Sequence, residues 1–481
     1  MINMKEVFKK LFNLVSDKRL RNSTSSRAEE GNLVIASESD KSRVINASAF
    51  RRLQQKAQVF SLESNASVRT RLTHSIEVSQ IGRYLAQEII RKIPDSAEIS
   101  YEQKLAFSNI IETACLLHDI GNPPFGHLGE AAIRKWFKSK GNGWSARRLQ
   151  SRACAAIRKW FKSKGNEANV YAELVNFDGN AQGFRLITYL SGGDEYGLNL
   201  TASTILSFVK YPFVNQKKGL FNADFRFSYH EACEVLGWRE GKKFPLAILM
   251  DLADEISYCM SDLEDGLEKG VISKDDLYRE FNDIGYPEPR EDDVYPYPFI
   301  KFKTALINDC VQEAAKQFIN KLGNILAGES VDIFIEGSPQ KNKLDKIKAF
   351  ARKHIYSDRN VELIELAGAK IITGLLNSYE PLLSLSQKEF LFLIEEKKPT
   401  YTKEDGGKEY FDFQLRLINT IPINYIRKYQ TSIKFYDEKQ DKANPCEESV
   451  RAQLIVDFIS GMTDDYALEM YQFLEGIKIH A

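Results

Sequence analysis

The chain has 481 residues, with 66 basic side chains balanced by 66 acidic ones. A single hydrophobic core stops growing below that length, so one large domain with subdomains, or two domains, is expected. The charge balance excludes a globally basic nucleic-acid protein. Six cysteines without a C-x-x-C pair exclude a thiolate zinc site and a disulfide scaffold.

In chain order, residues 1–20 mix lysines with apolar residues every three or four positions and read as a short amphipathic helix. They lack the unbroken apolar stretch of a signal peptide. No later run approaches the roughly 20 apolar residues of a membrane span, so a cytoplasmic protein with no membrane partner is expected. Residues 21–42, rich in Ser, Asn, Glu and Arg, read as a loop or mobile arm. Ile76, Val78, Ile81, Leu85 and Ile89 approximate helical spacing over 75–93, and 105–117 repeat the pattern. The second of these helices should stop soon after His118, because Gly121-Asn122-Pro123-Pro124 cannot continue it. Further helical stretches are 246–267, 306–326, 361–379 and 450–458. A Pro-rich break at 286–299 and a charged break at 397–408 interrupt the later chain. Strand-like alternation is scarce, so the fold class is all-α. The expected division is an N-terminal helix and arm (1–42), a core carrying the motifs (43–285) and a helical C-terminal region (286–481).

Residues 131–142 (AAIRKWFKSKGN) recur without change at 155–166. An old structural repeat would have diverged. The identity points to a recent duplication with a short insertion, either an engineered linker scar or a lineage-specific insert. One copy should continue the helix that follows Glu130, and the other should lie in a surface excursion.

Chemistry concentrates in a few places. His74, His118 and His127 are three of only six histidines. His74 falls at the start of one expected helix and His118-Asp119 at the end of the next, so antiparallel packing would bring them together. Imidazoles with carboxylates suit a divalent transition ion. A further ligand is expected from Asp254. Asp254, Tyr258 and Asp262 are spaced by four and share one helix face, with Asp265 near it. Their apolar neighbours Leu252, Ile256 and Cys259 argue that this face points into a cleft rather than into solvent. His127 and Glu130, three apart, form a candidate general acid/base pair.

Four motifs carry a family resemblance: Arg69-Thr-Arg-Leu-Thr-His74, His118-Asp-Ile-Gly-Asn-Pro-Pro-Phe-Gly-His127-Leu-Gly-Glu130, Asp178-Gly-Asn-Ala-Gln-Gly-Phe-Arg185 and Asp254-Glu-Ile-Ser-Tyr258. With Arg43–Phe60, Leu366–Ser386 and Ser460-Gly-Met-Thr-Asp464, they resemble the bacterial dGTPases of the HD superfamily over nearly the whole chain. The resemblance implies a helical HD fold with His74, His118, Asp119 and Asp254 on a divalent metal, Mn or Mg foremost, with Zn, Ni, Co or Fe as alternatives. It implies dNTP cleavage, dGTP first, to deoxynucleoside and inorganic triphosphate. His127 would be the acid/base, supported by Glu130. Arg71, Lys210 and Tyr211 would contact phosphates, with Lys218 or Arg226 as further cations. Tyr258 would pack under the deoxyribose, and Gln58 and Asp262 would bind its 3′ hydroxyl. The resemblance covers 180–185 but gives that stretch no chemical role. It also implies a homo-oligomer, a hexamer foremost, and single-stranded DNA as a modulator, to which Arg51-Arg52 and Arg147-Arg148 could contribute. Two other functions compete: another HD phosphohydrolase acting on nucleoside monophosphates or cyclic nucleotides, and a catalytically silent nucleotide- or DNA-binding regulator.

Overall fold

Helices dominate the computed structural model, and among the described residues the strands Thr400–Thr402 and Lys408–Tyr410 form one small antiparallel hairpin. The described residues are 4–22, 31–141, 173–193, 196–213, 218–221, 228–288, 297–403, 406–439 and 446–478. The second copy of the repeat, its linker with Arg147-Arg148, and Arg226 lie outside them.

The chain forms two compact units, each assembled from separated stretches: 1–121, 183–214 and 224–365 in the first, and 122–182, 215–223 and 366–481 in the second. These units differ from a division at 42/43 and 285/286. The Tyr297–Asn320 helix packs on the Arg71–Arg91 helix, so much of the expected C-terminal region belongs with the first unit.

In the first unit the helices Arg71–Arg91 and Tyr101–Leu117 pack on each other and on the Pro245–Glu268 helix. Their starts are written in the sequence. Thr70 and Thr73 cap the first reciprocally, Ser100 and Gln103 cap the second, and Pro245 occupies the first turn of the third. The second helix ends with His118 as its C-cap, as the following Gly-Asn-Pro-Pro requires. Gly82 lets the first two helices approach closely, because a Cβ there would lie 2.5 Å from Cys115 Sγ. This close packing sets the distance between the His74 and His118 rings.

Three expectations change at the N-terminal side and at the breaks. The amphipathic helix is shorter than 1–20, spanning Met4–Phe12. Residues 33–42 are not loop but part of the Leu33–Asn46 helix, started by Asn32, whose side chain accepts from the Val34 and Ile35 amides. Capping chemistry outweighed a polar composition there. The Pro-rich break is shorter than 286–299, because the next helix begins at Tyr297. Pro298 suits that first turn.

In the second unit the Gly126–Gly141 helix carries the first repeat copy, as expected for one of the two. Ile133, Trp136 and Phe137 of that copy are buried in a core shared with Ile372, Leu375, Phe458 and Ile459. Trp136 Nε1 donates to Asn377 Oδ1 at 2.7 Å.

Candidate metal centre and active site

Arg69 fixes the segment that leads into the His74 helix. Its guanidinium donates to Glu77 (2.8 Å), to Asp265 (2.7 Å) and to Glu264, tying the start of that helix to the end of the Asp254 helix. Beside it, Ala57 bridges Thr70 and the Arg71 amide donates to the Lys56 carbonyl at 2.8 Å, which sets Gln58 next to the same helix start.

His74 is fully buried one turn into its helix, and its ring centroid is 5.3 Å from that of His118. Ligand atoms of His74, His118 and Asp119 lie within 4.8 Å of one another. Asp254 Oδ1 is 3.5 Å from both imidazole Nε2 atoms, so the fourth expected residue joins the cluster. Neither Nε2 has a hydrogen-bond partner, although both are buried. His118 Nδ1 is 2.8 Å from the Cys115 carbonyl, which makes Nδ1 the N–H donor and leaves the Nε2 lone pair facing the carboxylates. Two orphaned imidazole nitrogens converging with two carboxylates fit a divalent metal ion.

The electrostatics match that fit. Burial alone would raise the Asp119 carboxyl, but the Arg71 guanidinium, with His118 and His74, outweighs it and holds it well below the usual range. Burial likewise opposes ionisation of Asp254, and Lys210 with the two histidines reverses the outcome. Arg71 Nη1 donates to Asp119 at 2.6 Å, and Lys210 Nζ lies 3.1 Å from Asp254 and 2.5 Å from Asp251. Two cations therefore border two ionised carboxylates. Tyr211, half-buried, follows Lys210 directly.

Further along the helix, Asp262 is buried, and burial pushes its carboxyl up to about 7. On the face expected to point into a cleft, Asp262 and Asp265 are each 1% exposed, while Asp254 and Tyr258 are half-buried. Tyr356 was not anticipated. Its hydroxyl donates to Asp262 Oδ2 and contacts the Tyr258 hydroxyl. Asp262 Oδ1 and Gln58 Oε1 are both buried without a hydrogen-bond partner. Nothing in the local sequence marked Tyr356, which follows the end of the Pro339–His354 helix and meets Tyr258 only through tertiary packing.

In the second unit, His127 Nδ1 lies 3.4 Å from Glu130 Oε2, and its side chain is 91% exposed. Glu130 is buried. Its other oxygen accepts the Gly179 amide at 2.7 Å, and Arg134 approaches Oε2 at 3.4 Å. Burial opposes its ionisation, but His127, Gly179 and Arg134 hold the carboxyl low. The Gly179 amide of the 178–185 motif thus anchors the carboxylate beside His127. Phe125, two residues before His127, has a left-handed backbone (φ 60°).

The HD domain model matches residues 71–182, and the phosphohydrolase-associated domain model matches residues 425–473. The deoxyguanosinetriphosphate triphosphohydrolase of Yersinia pseudotuberculosis serotype O:3 (strain YPIII) is 34% identical, over 96% of this chain and 97% of its own length. Its counterpart in Yersinia enterocolitica serotype O:8 / biotype 1B is 34% identical over 94% and 95%. The Enterobacter sp. (strain 638) protein of the same name is 33% identical over 96% and 97%. With identity of this order along almost its whole length, and with His74, His118 and Asp119 gathered in the matched HD region, the chain belongs to the HD-domain deoxyguanosinetriphosphate triphosphohydrolase family.

Proposed function

We propose that the protein hydrolyses dGTP, and other deoxynucleoside triphosphates less well, to the deoxynucleoside and inorganic triphosphate. The observation that carries this reading is the convergence of His74, His118, Asp119 and Asp254, with both imidazole Nε2 atoms unpaired, in a chain so similar to enzymes of that name. These four residues would hold the divalent ion, Mn or Mg in the first instance. When bound, such an ion polarises a phosphoryl oxygen and lowers the pKa of water.

The chain's own residues supply the rest. Arg71 and Lys210 border the acidic cluster and provide positive charge for the triphosphate, with Tyr211 beside them. The water oxygen bonds to the α-phosphorus as the bond from phosphorus to the 5′ oxygen breaks, and the triphosphate leaves carrying the water oxygen. His127 is the acid/base of this reaction, and Glu130 orients its ring through Nδ1. Tyr258 packs under the sugar, where a 2′ hydroxyl would be crowded. The 3′ hydroxyl donates its one hydrogen to Asp262 Oδ1, a buried oxygen otherwise without a partner, and Gln58 is its second partner. Tyr356 holds the far oxygen of Asp262.

No helix among the described residues is long and apolar enough to cross a membrane. A cytoplasmic homo-oligomer, with single-stranded DNA as a modulator, is the accompanying proposal. The test is to incubate the protein with each dNTP and with several divalent metals and to separate the products. Deoxyguanosine and triphosphate in equal amounts support the reading. Stepwise orthophosphate would point to another phosphohydrolase, and dNTP binding without turnover to a silent regulator.

A further inference from the structure

Two motifs late in the chain, around Gly368 and Asp464, have no part in the chemistry above. Both meet the loop that carries His127. Phe125 stands in the left-handed backbone region (φ 60°), followed by Gly126 (φ 53°). An aromatic residue adopts that conformation only where its surroundings impose it. Two contacts impose it here. The buried carboxylate of Asp464 accepts the Phe125 amide through Oδ1 at 3.0 Å. The Phe125 ring, 4% exposed, lies against the bare backbone of Gly368 within the Arg359–Leu383 helix. A Cβ at Gly368 would sit 2.6 Å from Phe125 Cβ and 2.7 Å from Cδ1, closer still to Cγ, so no larger residue fits without moving the ring.

Glycine is a poor residue for a helix interior, so its presence here is explained by the ring it admits. The left-handed turn reverses the chain just after Pro123-Pro124 and starts the Gly126–Gly141 helix, with His127 in its first turn. The direction of the His127 side chain follows from that turn, because the helix begins only one residue earlier.

We propose that Asp464 and Gly368 are positioning residues that clamp Phe125 in its left-handed conformation and thereby aim His127. The inference rests on the reading of His127 as the acid/base. The clamp acts on the chemical step and not on the metal, because His118 and Asp119 precede the Pro123-Pro124 turn and His74 and Asp254 lie on other helices. It explains why the Ser460–Asp464 motif, far along the chain from the histidines, belongs with the catalytic signature.

The test compares Gly368→Ala, Asp464→Ala and Asp464→Asn with His127→Ala in the full-length, metal-loaded protein. Melting temperature and metal content are measured on every variant. The expected result is a fall in kcat of about 100-fold for Gly368→Ala and for Asp464→Ala, with KM for dGTP and metal content within twofold of wild type. Asp464→Asn keeps an acceptor oxygen for the Phe125 amide and should recover most of the turnover. Adding Phe125→Gly to Gly368→Ala removes the clashing ring and suits the positive φ, so it should restore part of kcat. The proposal is overturned if folded Gly368→Ala and Asp464→Ala keep kcat within twofold. It is equally overturned if kcat and metal content fall together while KM rises, or if Asp464→Asn is as damaged as Asp464→Ala. Normal turnover in His127→Ala would instead remove the acid/base reading itself, whatever the clamp variants do.

Discussion

Asp254, half-buried, and Asp262, buried, lie on one face of one helix, two turns apart, yet their environments drive them in opposite directions. Asp254 faces Lys210 and two imidazoles, and its carboxyl is held well below the usual range against the effect of burial. Asp262 faces two phenols and another acid, Asp265, and burial prevails, taking it to about 7. One helix therefore presents an anion at one point and, roughly 12 Å further along, a hydrogen-bonding carboxyl that is about half protonated at neutral pH. The first suits a cation and the second suits a hydroxyl. Such a split between neighbouring carboxyls assigns roles more securely than the presence of either acid alone.

The largest effect should come from the charged end. Asp254→Ala removes one ligand and leaves Lys210 and the histidines with less negative charge. Metal content by elemental analysis should drop to a small fraction of wild type, and turnover should fall about 1,000-fold or more, on the scale of losing a Lewis acid's several kcal/mol. Full metal occupancy in that variant would break the comparison.

At the neutral end, Tyr356→Phe removes the hydroxyl that holds Asp262 Oδ2. The expected loss in kcat/KM is about tenfold, mostly in KM, in keeping with about 1.4 kcal/mol for one hydrogen bond to a buried polar group. The preference for dGTP over its 2′,3′-dideoxy analogue should shrink in the same variant. An unchanged preference would detach Tyr356 from the sugar.

The third effect is on stability and pH. An unfolded aspartate titrates near 4. Between that value and about 7, folded Asp262 keeps a proton that the unfolded chain has lost. Its contribution to stability therefore falls as pH rises through this window and is constant above it. Asp262→Asn, which carries no charge, should gain more over wild type at pH 8 than at pH 5, by on the order of 2 kcal/mol in denaturant melts. An equal difference at both pH values would show that the carboxyl is ionised throughout. The smallest effect is expected from deleting residues 143–166. The first repeat copy is core, through Ile133, Trp136 and Phe137, so the second copy with its linker is the dispensable one. Activity should remain equal or rise, and loss of folding would show that the insert is structural.

The sequence made these features legible to different degrees. The helices carrying His74, His118 and Asp254 could be placed because each has a strong period and an explicit start or stop: Thr70 and Thr73, Gly121 to Pro124, Pro245. The metal cluster followed because its residues sit at those helix ends and on one face. The polar segment 33–42 misled, since its composition suggested a loop while Asn32 supplied a cap. Tyr356 and the Phe125 clamp could not be read at all. Tyr356 reaches Asp262, and Asp464 reaches Phe125, across long sequence separations that no local spacing encodes. The Gly179 amide on Glu130 was hidden for another reason: a backbone donor leaves no residue type to recognise.

The central claim is that water attacks the α-phosphorus of dGTP at the cluster of His74, His118, Asp119 and Asp254. The most direct measurement is a single turnover of dGTP in ¹⁸O-labelled water with metal present, followed by mass analysis of both products. The account predicts one labelled oxygen in the inorganic triphosphate and none in deoxyguanosine. Label in deoxyguanosine, or orthophosphate as the released product, would contradict it.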